Sequence, residues 1–107
     1  MESIQLYNKV REKRGEALVA LKAIEEMGEL SAVLSKFLGE DETLLPNVQE
    51  EIADVLIMME QLRLIFFPTM VDRKKNEKLV RLERRVNEWP VIAKPLTDVA
   101  IYDDCRM

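Results

Sequence analysis

A chain of 107 residues with 48% hydrophobic and 34% charged residues and only three glycines has the size of one domain and the composition of an ordered, helical one. A net charge of −4 and a pI near 5.0 lack the basic footprint of a nucleic-acid binder. The single Cys105 rules out a disulfide framework, the absence of His leaves zinc without its usual ligands, and neither a basic leader at Met1 to Tyr7 nor an apolar run near the roughly 18 residues of a membrane span is present, so the expectation is a cytoplasmic chain with no membrane or nucleic-acid partner.

In chain order, Ser3 to Arg14 reads as a short, weakly amphipathic helix or turn that packs Ile4, Leu6, Tyr7 and Val10 on the rest. From about Gly15 to Leu38 the residues Ala17, Ala20, Leu21, Ile24, Met27, Leu30, Leu34 and Leu38 recur at helical offsets, with Gly39 as a C-cap. The acidic stretch 39–47 reads as a loop, with Pro46 suited to a helix start and Asn47 a cap beside it. A second long helix runs from there to about Phe67, stopped by Pro68. Val71 to Trp89 reads as a third, with Leu79, Leu82, Val86 and Trp89 inward and Pro90 ending it. Residues 1–90 then form one helical domain and residues 91–107 a tail. The predicted fold class is all-α, a bundle of about four helices.

The apolar arc of the first long helix, from Val33 round to Leu21, is wider than one face of a small bundle needs. That width predicts self-association, as a homodimer or homotetramer. Met58, Met59, Ile65, Phe66 and Phe67 are either interface residues or ordinary core, and the sequence leaves both open.

Two carboxylate pairs share one spacing on consecutive helices: Glu26 and Glu29 in EEMGEL, and Glu51 and Asp54 in EEIADV. Residues three apart lie about 60° apart on a helix, so each pair faces one way. With Met27 as the centre of the first apolar arc, Glu26 falls roughly 100° away, beside Leu30, Val33 and Phe37. With Ile52 as the second centre, Glu51 falls at the same offset, beside Val55, Met58 and Leu62. Carboxylates converging on a partly buried spot repel and cost several kcal/mol each in desolvation unless a cation compensates them. Oxygen ligands alone point to Mg²⁺, Mn²⁺ or Ca²⁺.

Charge is unevenly spread. Ala23 to Leu62 holds ten acidic residues and one basic residue, Lys36, whereas Arg73 to Arg85 holds seven basic residues against Glu77 and Glu83. Lys74, Lys78, Arg81 and Arg85 form one stripe. Alone the stripe is ordinarily a solvated face; beside a metal site it suits phosphates.

The pattern EExxE, a gap of 21 residues, then ExxD resembles the signature of the all-α nucleoside triphosphate pyrophosphohydrolases, and LKAIEEMGELSAVLSKFLG with EEIADVLIMMEQL looks like their MazG-like branch. The resemblance covers about residues 16–85. It implies Mg²⁺, with Mn²⁺ possible, held by Glu26, Glu29, Glu51 and Asp54, and Asn76, Lys78 and Arg81 at the triphosphate. It further implies hydrolysis of an NTP or dNTP to the monophosphate and pyrophosphate, with Glu29 or Glu50 taking the proton of the attacking water. Tyr7, Phe37 and Trp89 are candidates to stack on the base, though a residue of each kind is more often core or surface filler. Asp98, Asp103 and Asp104 depart from the basic tail such an enzyme is expected to carry. Two alternatives stay open: a phosphoribosyl-ATP pyrophosphohydrolase, and a non-catalytic metal-binding helical oligomerisation module.

Overall fold

A computed structural model describes residues 1–39, 41–92 and 95–96. Asp98, Asp103, Asp104 and Cys105 of the expected tail lie outside the described residues. Four α-helices follow one another: α1 Ser3–Arg14, α2 Glu16–Leu38, α3 Leu45–Ile65 and α4 Pro68–Val86, with a single 3-10 turn Glu42–Leu44 before α3. Among the described residues there is no strand, in keeping with the all-α expectation. No helix among them is long and apolar enough to cross a membrane.

The α1–α2 connection is one residue. Gly15 adopts φ 81°, its N–H bonds to the Arg11 carbonyl at 2.8 Å, and its own carbonyl receives the Val19 N–H at 3.2 Å. A Cβ there meets nothing within 4 Å, so the need for glycine is conformational and not steric. Gly15→Ala is expected to cost about 1 kcal/mol through the left-handed φ alone, read as a lower denaturant midpoint with unchanged m. An unchanged midpoint contradicts it.

The expected helices are all present, with revised ends. Helix α3 starts at Leu45, with Pro46 in its first turn, and Asn47 is inside the helix and caps nothing. Helix α4 starts at Pro68, so the link from α3 is Phe66 and Phe67 only, with Phe67 at φ 66°. Proline at a first helical position has no N–H to leave unpaired, which is why Pro68 starts a helix as well as stopping the previous one. At this corner Arg63 holds Asp72 in a two-pronged pair, Nε to Oδ1 at 2.7 Å and Nη2 to Oδ2 at 2.5 Å. The guanidinium holds the Asp72 carboxyl below the usual carboxylate range.

The inward arc differs from the expected one. On α2 the inward stripe is Val19, Ala23, Glu26, Leu30, Val33, Leu34 and Phe37, at three- and four-residue steps, with Ala20 half-buried beside it. On α3 the corresponding stripe is Val48, Glu51, Val55, Met58, Gln61, Leu62 and Ile65, with Leu45 and Leu64 also half-buried. Val19, Ala23 and Met58 pack together with Val10, Leu62 and Ile65 around them, so the early part of α2 meets the late part of α3. The two helices are antiparallel. Leu21 and Ile24, expected inside, are 59% and 62% exposed, and Met27 and Ile52 are exposed as well. The reason is steric: Ala23, with no exposed surface, lets the helices approach along its own side, and the bulkier arc of Leu21, Ile24 and Met27 is left outward.

Three further expectations change. Tyr7 and Val10 of α1 are half-buried but Ile4 and Leu6 are exposed, because so short a helix touches its neighbours along one edge. Met58 is core and Ile65 packs against it, whereas Met59, Phe66 and Phe67 are exposed. Leu79, Leu82, Val86 and Trp89 are all exposed, because α4 packs chiefly on α3 and, among the described residues, no second layer covers its apolar side.

Candidate metal centre

Glu26 and Glu51 stand near the middle of the two facing stripes, and Asp54 is one turn along α3 from Glu51. One carboxylate oxygen from each lies within 4.8 Å of the others. Oxygens on opposite sides of an ion bound at roughly 2.1–2.6 Å lie roughly 4.2–5.2 Å apart, so the three fit around one hard cation. Glu26 is buried, Glu51 half-buried and Asp54 exposed, which gives the cluster a wet side and a dry side.

The dry side is where the chemistry of the donor set shows. Glu26 Oε2 and Glu51 Oε2 are buried and have no hydrogen-bond partner among the described protein atoms. An unpaired carboxylate oxygen removed from water costs several kcal/mol, and two beside each other also repel. A divalent cation removes both costs at once. Glu26 Oε1 has a partner already, Lys22 Nζ at 3.1 Å, which also reaches Glu25 Oε1 at 3.4 Å. The hydrogen bond to Glu26, with Glu25 adding to it, raises the Lys22 ammonium above its ordinary value.

Of the residues singled out from sequence, the structure brings together Glu26, Glu51 and Asp54. Glu29 is exposed at the edge of this group. Repulsion from Glu26 raises its carboxyl above the ordinary glutamate value, with desolvation and then Glu51 adding to the shift. A raised acid binds its proton more tightly in the folded than in the unfolded chain, so folding stability rises as pH falls through the Glu29 titration and drops as pH rises through it. In a carboxyl-carbon NMR titration, the Glu29 carboxyl is expected to titrate above the ordinary glutamate value and to move back toward it in Glu26→Gln. A Glu29 titration that ignores that substitution contradicts the assignment of the repulsion to Glu26.

Glu50 is exposed, one position round α3 from Glu51 and outside the converging group. Asn76, Lys78 and Arg81 are exposed on α4, and no ion pair among the described residues joins them to the carboxylates. Of the aromatic candidates, Phe37 is buried in the α2 stripe, the Tyr7 hydroxyl donates to Glu60 of α3, and Trp89 is exposed. Lys22 and Gln61 were not among the residues singled out from sequence. Lys22 was legible as a Lys four residues before Glu26 on one helix. Gln61 carried no signal, since a Gln within an apolar stripe becomes informative only once its burial is known. No protein-family model matches the chain, and no significantly similar curated protein or solved structure is found.

Proposed function

We propose that the chain is a metal-dependent nucleoside triphosphate pyrophosphohydrolase that converts an NTP, with dNTPs preferred, to the monophosphate and pyrophosphate. The observation that carries this reading is the pair of buried, unpartnered oxygens, Glu26 Oε2 and Glu51 Oε2, within a three-carboxylate group that includes Asp54. Glu26, Glu51 and Asp54 hold Mg²⁺ or Mn²⁺; when bound, the ion supplies positive charge against phosphate oxygens and lowers the pKa of water. Glu29, at the solvent edge beside Glu26, accepts a proton from the attacking water. Asn76, Lys78 and Arg81 donate hydrogen bonds to the phosphates, and the charge of Lys78 and Arg81 favours departure of pyrophosphate.

The working form in this reading is a homo-oligomer. The exposed arc of Leu21, Ile24 and Met27 on α2 and of Ile52 and Leu56 on α3 supports it, as does the uncovered apolar side of α4. A second reading, a non-catalytic metal-binding helical module, is favoured by the exposure of Asn76, Lys78 and Arg81 on α4.

Pyrophosphate release from canonical and modified NTPs, dNTPs and phosphoribosyl-ATP, with Mg²⁺, Mn²⁺ or EDTA, separates the readings. The expected result is metal-dependent release from nucleoside triphosphates, reduced by about 10² or more in Glu51→Gln. Metal binding with no release from any substrate favours the inert module, and release from phosphoribosyl-ATP alone favours that relative.

A further inference from the structure

Glu26 is held differently from the other two carboxylates of its group. Its Oε1 lies 3.1 Å from Lys22 Nζ, one turn earlier on α2, while its Oε2 is buried with no hydrogen-bond partner among the described protein atoms. Among the described residues, no Lys or Arg pairs with Glu51 or Asp54. One oxygen of Glu26 is thus engaged and the other is free. The division is fixed from outside the group, because Lys22 Nζ also pairs with Glu25 Oε1 at 3.4 Å.

The burial of one partner sets this pair apart from a surface ion pair. A pair between two exposed side chains contributes little, since water competes at both ends. Here the Lys22 side chain is 53% exposed but that of Glu26 only 10%. Water has little access to Glu26, so Lys22 is the group that satisfies Oε1 and fixes which oxygen remains.

The number of oxygens a carboxylate offers separates the hard cations. Mg²⁺ binds about six ligands at short distance and keeps several waters, and Mn²⁺ shares its octahedral preference, so single oxygens from three carboxylates suit both. Ca²⁺ takes roughly six to eight oxygens and gains from carboxylates that grip with both.

Resting on the reading that Glu26, Glu51 and Asp54 bind a divalent cation, we infer that Lys22 is a positioning residue that sets the choice of metal. By engaging Glu26 Oε1 it leaves Oε2 as the sole donor of that side chain, which favours Mg²⁺ or Mn²⁺ over Ca²⁺. Glu25, exposed and outside the three-carboxylate group, steadies Lys22 in that position.

Calorimetry on the full chain, with Mn²⁺ alone and with Ca²⁺ alone, tests this in two variants. Lys22→Met keeps an unbranched side chain and loses the charge; Lys22→Arg keeps a cationic donor. Loss of a nearby positive charge strengthens binding of both divalent cations to a similar degree, so the ratio of the two affinities is the informative quantity. The wild-type chain is expected to prefer Mn²⁺. Lys22→Met is expected to shift the ratio about tenfold toward Ca²⁺, and Lys22→Arg to stay within about threefold of wild type. An unchanged ratio in Lys22→Met overturns the inference and leaves a metal centre with Lys22 as a general electrostatic neighbour. Equal wild-type affinities, or an equal shift in Lys22→Arg, also overturn it. Binding of neither cation, or binding that Glu51→Gln leaves intact, overturns the metal-centre reading and this inference with it.

Discussion

Mn²⁺ or Mg²⁺ is expected to raise the melting temperature of the wild-type chain, and Glu51→Gln is expected to abolish the rise. A ligand that binds only the folded state stabilises it by RT ln(1 + [L]/Kd), about 2.7 kcal/mol at a hundredfold excess over Kd. For a domain of this size that corresponds to a shift on the order of 10 °C. Glu51 is the residue to change because its Oε2 is buried and unpartnered, whereas Asp54 is exposed and more easily replaced by water. The metal-free proteins provide the opposite sign. With chelator present, Glu51→Gln is expected to be as stable as wild type or more so, because it removes one charge from a group of mutually repelling carboxylates. A solvated acidic surface with no site predicts no metal response in either protein. A rise of equal size in both proteins places the cation somewhere other than Glu51.

Ala23→Leu is expected to damage the fold and the capacity of the Glu26, Glu51 and Asp54 group to bind Mn²⁺ together, although Ala23 belongs to neither the group nor its immediate sequence neighbours. Ala23 has no exposed surface and packs with Val19 and Met58 in the cluster between α2 and α3. Three added carbons have no space there, and overpacking of this kind costs about 1–3 kcal/mol, a sizeable share of a typical domain's stability. The strain is relieved by moving the helices apart. Glu26 is one turn further along α2 and faces Glu51 and Asp54 across the same seam, so the separation widens the carboxylate group. Mn²⁺ affinity is expected to fall about tenfold, measured beside Ala32→Leu as a control on the exposed side of α2. Lost stability with unchanged Mn²⁺ affinity would show that the centre does not depend on the α2–α3 distance.

The course of the chain through helices was readable from residue patterns to within a few positions. Gly15, Gly39, Pro46 and Pro68 punctuate it, and each long helix carries an apolar period. The spacing that places Glu26 with Phe37 and Glu51 with Met58 is equally a property of the sequence, since a helix allows no other arrangement of those offsets. The direction in which each helix faces was not readable. Helix α2 is apolar over much of its circumference, and the arcs centred on Met27 and on Ala23 satisfy helical periodicity equally well. Composition favours the arc of Leu21, Ile24 and Met27 because it carries more apolar area.

The packing chose the other arc. A small side chain lets a neighbouring helix pack closely, and Ala23, with no exposed surface, is clustered with Val19 and Met58 between the two helices. The sequence by itself therefore determined four helices, their approximate ends and the common wheel position of Glu26 and Glu51. Only the tertiary structure decided that this position lies on the seam, that Asp54 joins it while Glu29 stays at its edge, and that Lys22 reaches Glu26 there. The physical reason is that helical offsets are set locally by backbone geometry, whereas burial depends on the shape of a partner surface that local sequence does not contain.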